Sequence, residues 1–444
     1  MHHTSARSRT HWRHTPGLLA WLMGTSMGTL LGAIWPAHHA VAADAPQAAA
    51  AAASAPAEGV RKALFEPFTA AQDLVRARKF VEARAKLTEI EATPALSPYE
   101  AYQLDRLLFT TAVALNDGAA AQARYDRVVA SGRLTEAELA PLLYNVMVAA
   151  YRAEDHARAA AAAVKVRAHP AMDADMRDQA QQIQIQSLYL GKDYVAAARE
   201  LEADLATRRA AGKTPSEQSL RMLASSYNLT KATPSYFGVI EQLAVTHPKK
   251  DYWLELIGRV QSQPGFDDRL WLDLQRFKHA ALGPGDANDY FESAEAAQQA
   301  NLPVEARKLL DAGYAAGLLG QGAQAAEHNK LRATVARQVE EDAAVIDNAA
   351  AAARVSREPV ALVHWGMSFV AAGKVDQGLA LLEEALTKPT LKRPDDVRLR
   401  LGAAYAMADR KDQAVKTLQT VKGSDGASDI AHLWLLLLKL PAAR

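Results

Sequence analysis

The segment from Pro359 to Val421 repeats its own pattern after 36 residues, and this repetition constrains the fold more than any other feature. A fixed period of this length indicates stacked supersecondary units, none of which buries its apolar face alone. Such chains usually offer a surface to other proteins and seldom carry an active site. The matched positions are Gly366, Phe369, Gly373, Gly378, Leu382 and Ala385 in the first copy, and Gly402, Tyr405, Asp409, Ala414, Leu418 and Val421 in the second.

Amphipathic helical segments of ~12–15 residues alternate with short polar breaks from Val60 to the end of the chain. Strand-forming residues do not cluster into alternating runs, and much of the 49% hydrophobic content is alanine, the best helix former. The predicted fold class is therefore all-α. The predicted breaks are Thr93-Pro94, Asn116-Asp117-Gly118, Ser131-Gly132, His169-Pro170, Gly191-Lys192-Asp193, Gly212, His247-Pro248, Pro264-Gly265, Gly283-Pro284-Gly285, Gly373, Lys388-Pro389 and Gly423.

The two C-terminal copies resemble the tetratricopeptide repeat (TPR) family, whose unit is a helical hairpin of about 34 residues. The family places a small residue in the middle of each helix, where the two helices cross most closely. Gly366 and Gly378 occupy these two sites in one hairpin, and Gly402 and Ala414 occupy them in the next. The resemblance implies a TPR-like α-solenoid, a right-handed superhelix of hairpins with a long concave groove.

Earlier units match the family less fully. The motif Phe80, Ala83, Leu87 recurs as Tyr194, Ala197, Leu201 and as Pro303, Ala306, Leu310. Small sites placed at residues 83, 123, 159 and 197 are 40, 36 and 38 residues apart, so the predicted period drifts. We assign Val239 to a fifth unit and expect one degenerate unit within 318–355. The C-terminal segment from Asp429 to Leu440 is apolar all round, and we expect it to be a closing helix on the last repeat.

Residues 1–42 have the composition of a secretory signal peptide. Three arginines precede an apolar stretch from Leu18 to Trp35, which is followed by the small-x-small sequence Ala40-Val41-Ala42. We therefore expect export to the periplasm, with cleavage near Ala42 or Ala43. The alternative is an uncleaved membrane anchor, which is disfavoured because a span needs about 20 mainly apolar residues.

The expected domain organisation follows from these segments. Residues 43–58 are rich in alanine and proline and lack large apolar side chains, so we expect a flexible tether. After the tether we expect N-terminal TPR-like repeats at 59–250, degenerate helical repeats at 251–355, and C-terminal TPR repeats with a capping helix at 356–444. The section from Tyr252 to Phe291 also resembles periplasmic repeat proteins of Gram-negative bacteria, some of which are encoded beside TonB-type energy-transducing systems.

Charge and composition exclude several functional classes. The formal net charge of +1 argues against a nucleic-acid binder driven by phosphate neutralisation. The absence of cysteine excludes disulfides, thiolate metal sites and a cysteine nucleophile. Outside residues 1–42 the histidines are isolated and no Gly-x-Ser-x-Gly motif occurs, so we predict no metal, no cofactor and no catalytic site. We expect Asp286, the Asp267-Asp268 pair and the Asp395-Asp396 pair to lie at helix starts.

The resemblance also implies which side chains line the concave groove, namely those of the first helix of each hairpin. Apolar and aromatic groups there suit an extended or helical peptide. The alternative is that register drift has displaced the assignment and several of these residues belong to the core. The predicted groove residues are Phe68, Leu108, Tyr144, Tyr151, Phe291, Met367 and Val370.

Three functional hypotheses remain open from the sequence. The favoured one is an exported periplasmic scaffold that binds an envelope protein or peptide in the groove, with an accessory role in a TonB-type system. The second is an enzyme or enzyme subunit of envelope polysaccharide or peptidoglycan turnover, with Glu292 or Glu295 as the acid. The third is self-association through an exposed Trp434 and Leu436 on the last helix. Contact with a membrane is expected only through the signal segment, if it is uncleaved.

Overall fold

The computed structural model describes residues 59–283, 285–355 and 359–441. These residues form twenty α-helices, one 3₁₀ helix and no strand, which confirms the all-α prediction. None of these helices combines the length and the apolar character that crossing a membrane requires. The predicted signal peptide and tether lie outside the described residues.

The chain divides into two compact units, and the division falls between Leu201 and Glu202, within one helix. The predicted boundaries at 250/251 and 355/356 both lie inside the second unit. The helices of unit 1 are α1 (Lys62–Arg76), α2 (Phe80–Glu91), α3 (Pro98–Ala114), α4 (Gly118–Ala130), α5 (Glu136–Arg152), α6 (His156–Ala168), α7 (Ala174–Leu190) and the first part of α8 (Tyr194–Ala210).

Unit 2 contains the end of α8, twelve further α-helices and the 3₁₀ helix Asp268–Leu270 among its described residues. The α-helices are α9 (Glu217–Leu229), α10 (Thr233–Thr246), α11 (Lys250–Ser262), α12 (Trp271–Leu282), α13 (Ala287–Gln299), α14 (Pro303–Ala315), α15 (Ala325–Val355), α16 (Pro359–Ala371), α17 (Val375–Thr387), α18 (Pro394–Met407), α19 (Lys411–Leu418) and α20 (Ala427–Leu437).

Eight of the described helix pairs are hairpins joined by the same three-residue turn. The central turn residue has a left-handed φ, and the next residue donates a backbone hydrogen bond to the carbonyl five positions earlier, as from Asp117 to Ala112 at 2.9 Å. This geometry is that of a Schellman motif, which ends a helix and satisfies its last carbonyl groups. The central turn residues are Arg78, Asn116, Glu154, Lys192, Lys231, Asn301, Gly373 and Asp409.

The turn centres correct the predicted register of the early repeats. Those at 78, 116, 154 and 192 are spaced by 38 residues, so the period does not drift in unit 1. The small site lies five residues after each centre, and in the second hairpin it is Ala121, which is fully buried, whereas the predicted Ala123 is exposed. In the fifth hairpin the equivalent residue is Tyr236 and not the predicted Val239.

The glycines of the C-terminal repeat lie where the helices cross most closely, as the resemblance implies. A Cβ added to Gly378 would lie 2.5 Å from the carbonyl oxygen of Gly366, and one added to Gly366 would lie 2.9 Å from Leu382 Cγ. In the last hairpin, a Cβ on Gly402 would lie 2.6 Å from Leu418. No larger side chain fits at these positions unless the helices move apart.

The region 318–355 does not contain the predicted hairpin. It holds one helix of 31 residues, α15 from Ala325 to Val355. The sequence of this helix contains no glycine or proline and is rich in alanine, glutamate and arginine, all of which favour continued helix. The prediction of a degenerate unit there was wrong because nothing in the sequence ends the helix.

Unit 2 is closed by its C-terminal helix. Helix α20 packs on α18 and α19, as predicted for a closing helix, and also on α10, α11 and α12. Trp434 of α20 contacts Phe277 of α12 with ring centroids 5.5 Å apart, and Phe277 contacts Trp253 of α11 at 5.8 Å. Trp434 and Leu436 are 2% and 4% exposed, so the predicted exposed patch for self-association does not exist.

Partly buried ion pairs also join distant segments of unit 2. Arg269 forms a two-pronged pair with Asp396 at 2.9 and 3.0 Å, and Arg400 forms one with Asp273 at 3.1 and 3.2 Å. Each pair joins residues that are 127 positions apart in the sequence. In a linear solenoid each repeat contacts only its neighbours, and the described part of unit 2 departs from that rule.

Candidate binding sites

The structure separates the predicted groove residues into two groups. Three of them, Phe68, Leu108 and Met367, are 3%, 6% and 4% exposed and belong to the core, as the register-drift alternative predicts. Phe68 and Leu108 fill packing positions between helices, whereas Met367 lines the edge of a cavity described below. The remaining four are half-buried on first helices of hairpins: Tyr144, Tyr151, Phe291 and Val370.

Tyr144 and Tyr151 belong to a regular pattern between neighbouring first helices of unit 1. They lie two turns apart on α5, and their hydroxyl groups donate to the side-chain oxygens of Gln179 and Gln186, which lie two turns apart on α7. The Tyr151–Gln186 bond is 2.7 Å long, and each pair joins residues 35 positions apart. Because both pairs have the same offset, they form two parallel rungs between α5 and α7.

Partly buried aliphatic side chains lie between the rungs. Val148 is on the same face of α5 as the two tyrosines, and Ile183 is on the same face of α7 as the two glutamines, because these residues are three or four positions apart. Both side chains pack against the core of unit 1 and remain partly exposed. We call the resulting surface the ladder face: Tyr144, Val148, Tyr151, Gln179, Ile183 and Gln186.

Burial keeps the ladder tyrosines neutral. Desolvation raises the pKa of both Tyr144 and Tyr151, so each hydroxyl stays protonated and serves as the donor to its glutamine. Each glutamine oxygen accepts one bond from its tyrosine, and the amide nitrogen is the donor of the same side chain. The ladder face offers hydrogen-bond donors on an apolar background and carries no charge of its own.

A second candidate site is a half-open cavity of about 530 Å³ in unit 2. It lies between α12, the turn of the α13–α14 hairpin, α15, α16 and α18. Its size is in the range of pockets that hold small ligands. The lining residues are Arg269, Leu272, Arg276, Ala300, Asn301, Leu302, Pro303, Gln338, Glu341, Asp342, Val360, Val363, His364, Met367 and Arg400.

The arginines of the cavity are already paired with carboxylates of this chain. Arg276 is buried and bonds to Glu305 at 2.6 and 2.8 Å and to Asp273 at 2.5 Å. Burial alone would raise the pKa of Asp273, but Arg400 and Arg276 lower it on balance, so the carboxylate is ionised. Arg269 is paired with Asp396, as described above.

The opposite wall of the cavity carries acceptors that lack donors. Gln338 Oε1 and Asp342 Oδ2 are shielded from solvent and have no hydrogen-bond partner in the described part of the chain. These residues are four positions apart on α15 and therefore lie on one face of it. Burial raises the pKa of Asp342 and lowers that of His364, which lies near it on α16.

The acids proposed for catalysis lie together on the surface of one helix. Glu292 and Glu295 are both exposed on α13, one turn apart on the same helix. Burial raises the pKa of Glu292, and the negative charge of the neighbouring Asp289 raises it further. Asp286 caps α13 by accepting from the backbone of Asp289 at 2.9 Å, which confirms its predicted role as an N-cap. No cluster of three or more potential metal ligands occurs among the described residues.

Sequence reasoning missed Gln179, Gln186, Gln338 and Asp342. The first two could have been found, because a glutamine follows each of the two groove tyrosines at the same offset of 35 residues, close to one repeat. The last two could not, because they lie on the long helix α15, where the repeat pattern gives no register. No protein-family model matches this chain, and no curated protein matches it either.

Proposed function

We propose that this protein is a helical-repeat scaffold that binds an extended segment of another protein on its ladder face. The observation that carries the proposal is the pair of parallel rungs, Tyr144–Gln179 and Tyr151–Gln186. Tyrosine supplies large, rigid contact area at protein interfaces, and the glutamine amides supply donors for the carbonyl groups of a peptide main chain.

The spacing of the rungs suits an extended peptide. Seven residues along a helix correspond to a rise of about 10.5 Å, which is therefore the approximate distance between the rungs. A polyproline II segment presents the same face every third residue, or about 9.3 Å. Two carbonyl groups on one face of such a segment can accept from Gln179 and Gln186 in turn. Val148 and Ile183 then contact the side chain or proline ring between them.

The proposal includes a location in the periplasm, which depends on residues 1–42 acting as a signal peptide. Export with cleavage near Ala42 or Ala43 would make the partner a protein of the cell envelope, and an accessory role beside a TonB-type system stays a prediction. N-terminal sequencing of the protein purified from a Gram-negative host tests the export. We expect the mature chain to begin at Ala43 or Asp44, and a chain beginning at Met1 and retained in the cytoplasm would contradict it.

In-cell cross-linking tests the binding site. A photoreactive amino acid at position 144 should capture one dominant protein, identified by mass spectrometry. The matched control is position 164, because Val164 is 52% exposed on α6, the second helix of the same hairpin. Equal capture at positions 144 and 164 would show nonspecific contact and would contradict the proposal.

A pair of variants then tests the role of the rungs. Replacing both Gln179 and Gln186 by alanine removes two donors, and a net hydrogen bond contributes about 1 kcal/mol. We therefore expect the affinity for the captured segment to fall about 30-fold. The control is Gln122→Ala on α4, since Gln122 bonds only locally to Asp126 in the described residues. Unchanged affinity of the double variant would contradict a role for the ladder face.

A further inference from the structure

We propose that the cavity of unit 2 is a binding site for a guanidinium group, such as that of an arginine side chain. This site is separate from the ladder face, and the inference does not depend on the function proposed above. It would give the protein a second binding site, specific for one basic residue.

The α15 wall of the cavity has acceptors that no donor of the described residues satisfies. Gln338 Oε1 and Asp342 Oδ2 are buried acceptors without partners, and leaving such groups unsatisfied costs free energy. Four residues along the helix separate the two positions by a rise of about 6 Å. A guanidinium group carries five N–H donors in a fixed fork, so one group can donate to both acceptors.

The second argument is the balance of charge around the cavity. The three arginines that line it, from the 3₁₀ helix, α12 and α18, are matched by Asp273, Asp396 and Glu305. Glu341 on α15 pairs with Arg337 of the same helix at 3.8 Å, so Asp342 is the carboxylate of the cavity left without a cationic partner among the described residues. Burial lowers the pKa of His364 on α16 and favours its neutral form. The electrostatic potential in this part of the cavity is therefore negative, which favours binding of a cation and disfavours binding of a phosphate or carboxylate.

The third argument is the shape and polarity of the cavity. Val363 and Met367 of α16 are 8% and 4% exposed and form an apolar part of the wall. The methylene stem of an arginine packs on such a surface while its head group reaches the acceptors. A volume of about 530 Å³ is sufficient for one such side chain together with part of its main chain.

Calorimetric titration of the purified protein tests the inference directly. The probes are acetyl-Gly-Arg-Gly-amide, the same peptide with citrulline in place of arginine, and agmatine. Citrulline has nearly the same shape as arginine but no charge, so we expect the arginine peptide to bind at least about tenfold more tightly. Tighter binding of the peptide than of agmatine assigns the site to a protein partner, and the reverse assigns it to a free guanidino compound. Either result supports the guanidinium site.

Two variants locate the binding in the cavity. Asp342→Asn keeps the shape of the side chain but removes its charge, and Gln338→Leu removes one acceptor. We expect each to weaken binding of the arginine peptide about tenfold or more, with unchanged thermal unfolding in the absence of peptide. The matched control is Glu340→Gln, because Glu340 is exposed on the same helix and does not line the cavity. Equal binding of the arginine and citrulline peptides, or no binding of any probe, would overturn the inference.

Discussion

The two units of the chain use the same hairpin in different ways. In unit 1 the turn centres are evenly spaced, and side-chain pairs join positions 33 residues apart, such as Arg124 with Glu91 and Arg167 with Glu200. In unit 2 the side-chain pairs include residues that are 127 and 191 positions apart, such as His432 with Glu241. Unit 1 is thus held by contacts between successive repeats, and unit 2 is closed by contacts between distant segments.

This difference has a functional consequence. Regular repeats place equivalent side chains at equal spacing, so they produce a surface with a repeated pattern such as the ladder face. Closure brings together residues that do not occupy equivalent repeat positions, and here it forms a half-open cavity between α12, α15, α16 and α18. The first arrangement suits a repetitive ligand such as an extended main chain, and the second suits a single small group.

The largest expected effect comes from breaking the closure at Asp273. This residue is buried and bonds to both Arg276 and Arg400, so Asp273→Ala leaves two arginines without that partner. Removing one partner of a buried ion pair costs about 3–5 kcal/mol. All the tryptophans of the described residues belong to unit 2, at 253, 271, 365 and 434.

Tryptophan fluorescence therefore reports the unfolding of unit 2, and circular dichroism reports both units. In a denaturant titration of the chain from Ala43 onward, the fluorescence transition of Asp273→Ala should move to much lower denaturant. The circular dichroism transition of unit 1 should occur at the same denaturant concentration as in the unsubstituted chain. An equal shift of both signals would mean that the two units unfold together and would contradict this prediction.

A smaller effect is expected from the close helix crossing in unit 2. Gly378→Ala places a Cβ 2.5 Å from the carbonyl oxygen of Gly366, so α16 and α17 must separate, at a cost of about 1–3 kcal/mol. Gly258→Ala is the control, since a Cβ on Gly258 in α11 meets nothing within 4 Å. Thermal unfolding followed by tryptophan fluorescence should show a lower Tm for Gly378→Ala and an equal or higher one for Gly258→Ala. A Tm for Gly378→Ala that matches that of the control would contradict the close packing of α16 against α17 at this glycine.

The smallest effect concerns an ion pair of unit 1 and depends on pH. Arg61 holds the pKa of Glu100 at about 2, below its ordinary value of about 4.5, and the backbone N–H of Ser97 adds to this effect. Because the folded pKa is the lower one, the pair stabilises the folded state above about pH 4.5. That contribution is lost as the pH falls towards about 2.

Glu100→Gln should therefore be less stable than the unsubstituted chain at pH 7, by about 1–2 kcal/mol because Arg61 is partly exposed. The difference should shrink steadily between pH 4.5 and pH 2. Urea unfolding at several pH values, followed by circular dichroism, measures it. A difference that stays constant over this range would contradict the assigned pKa.

Much of the fold could be predicted from the sequence because its signals are local. Gly366 and Gly378 marked the close crossing correctly, and the polar breaks fell at helix ends. The register of unit 1 was less accurate, since Ala121 and Ala123 are both alanines and only the left-handed turn at Asn116 distinguishes them. That turn is difficult to read from sequence, because non-glycine residues rarely adopt a left-handed φ.

The closure of unit 2 and its cavity could not be predicted. The ion pair between Arg269 and Asp396 joins residues 127 positions apart, and neither residue lies in a sequence motif that predicts the other as its partner. Trp434 was expected on the surface, but Phe277 covers it. For the same reason Gln338 and Asp342 gave no signal, because their environment consists of segments that are distant in sequence.

Hydrogen exchange in a Trp434→Leu variant tests the closure of unit 2 most directly. The substitution keeps an apolar side chain but removes the ring contact with Phe277, which is in α12. We predict faster exchange in residues 250–282 as well as in 394–437, and no change in residues 62–190. The control is Met147→Ala, a buried substitution in unit 1 that should affect only the neighbouring helices of that unit. Faster exchange confined to residues 394–437 would mean that unit 2 is a linear array, and it would contradict the account.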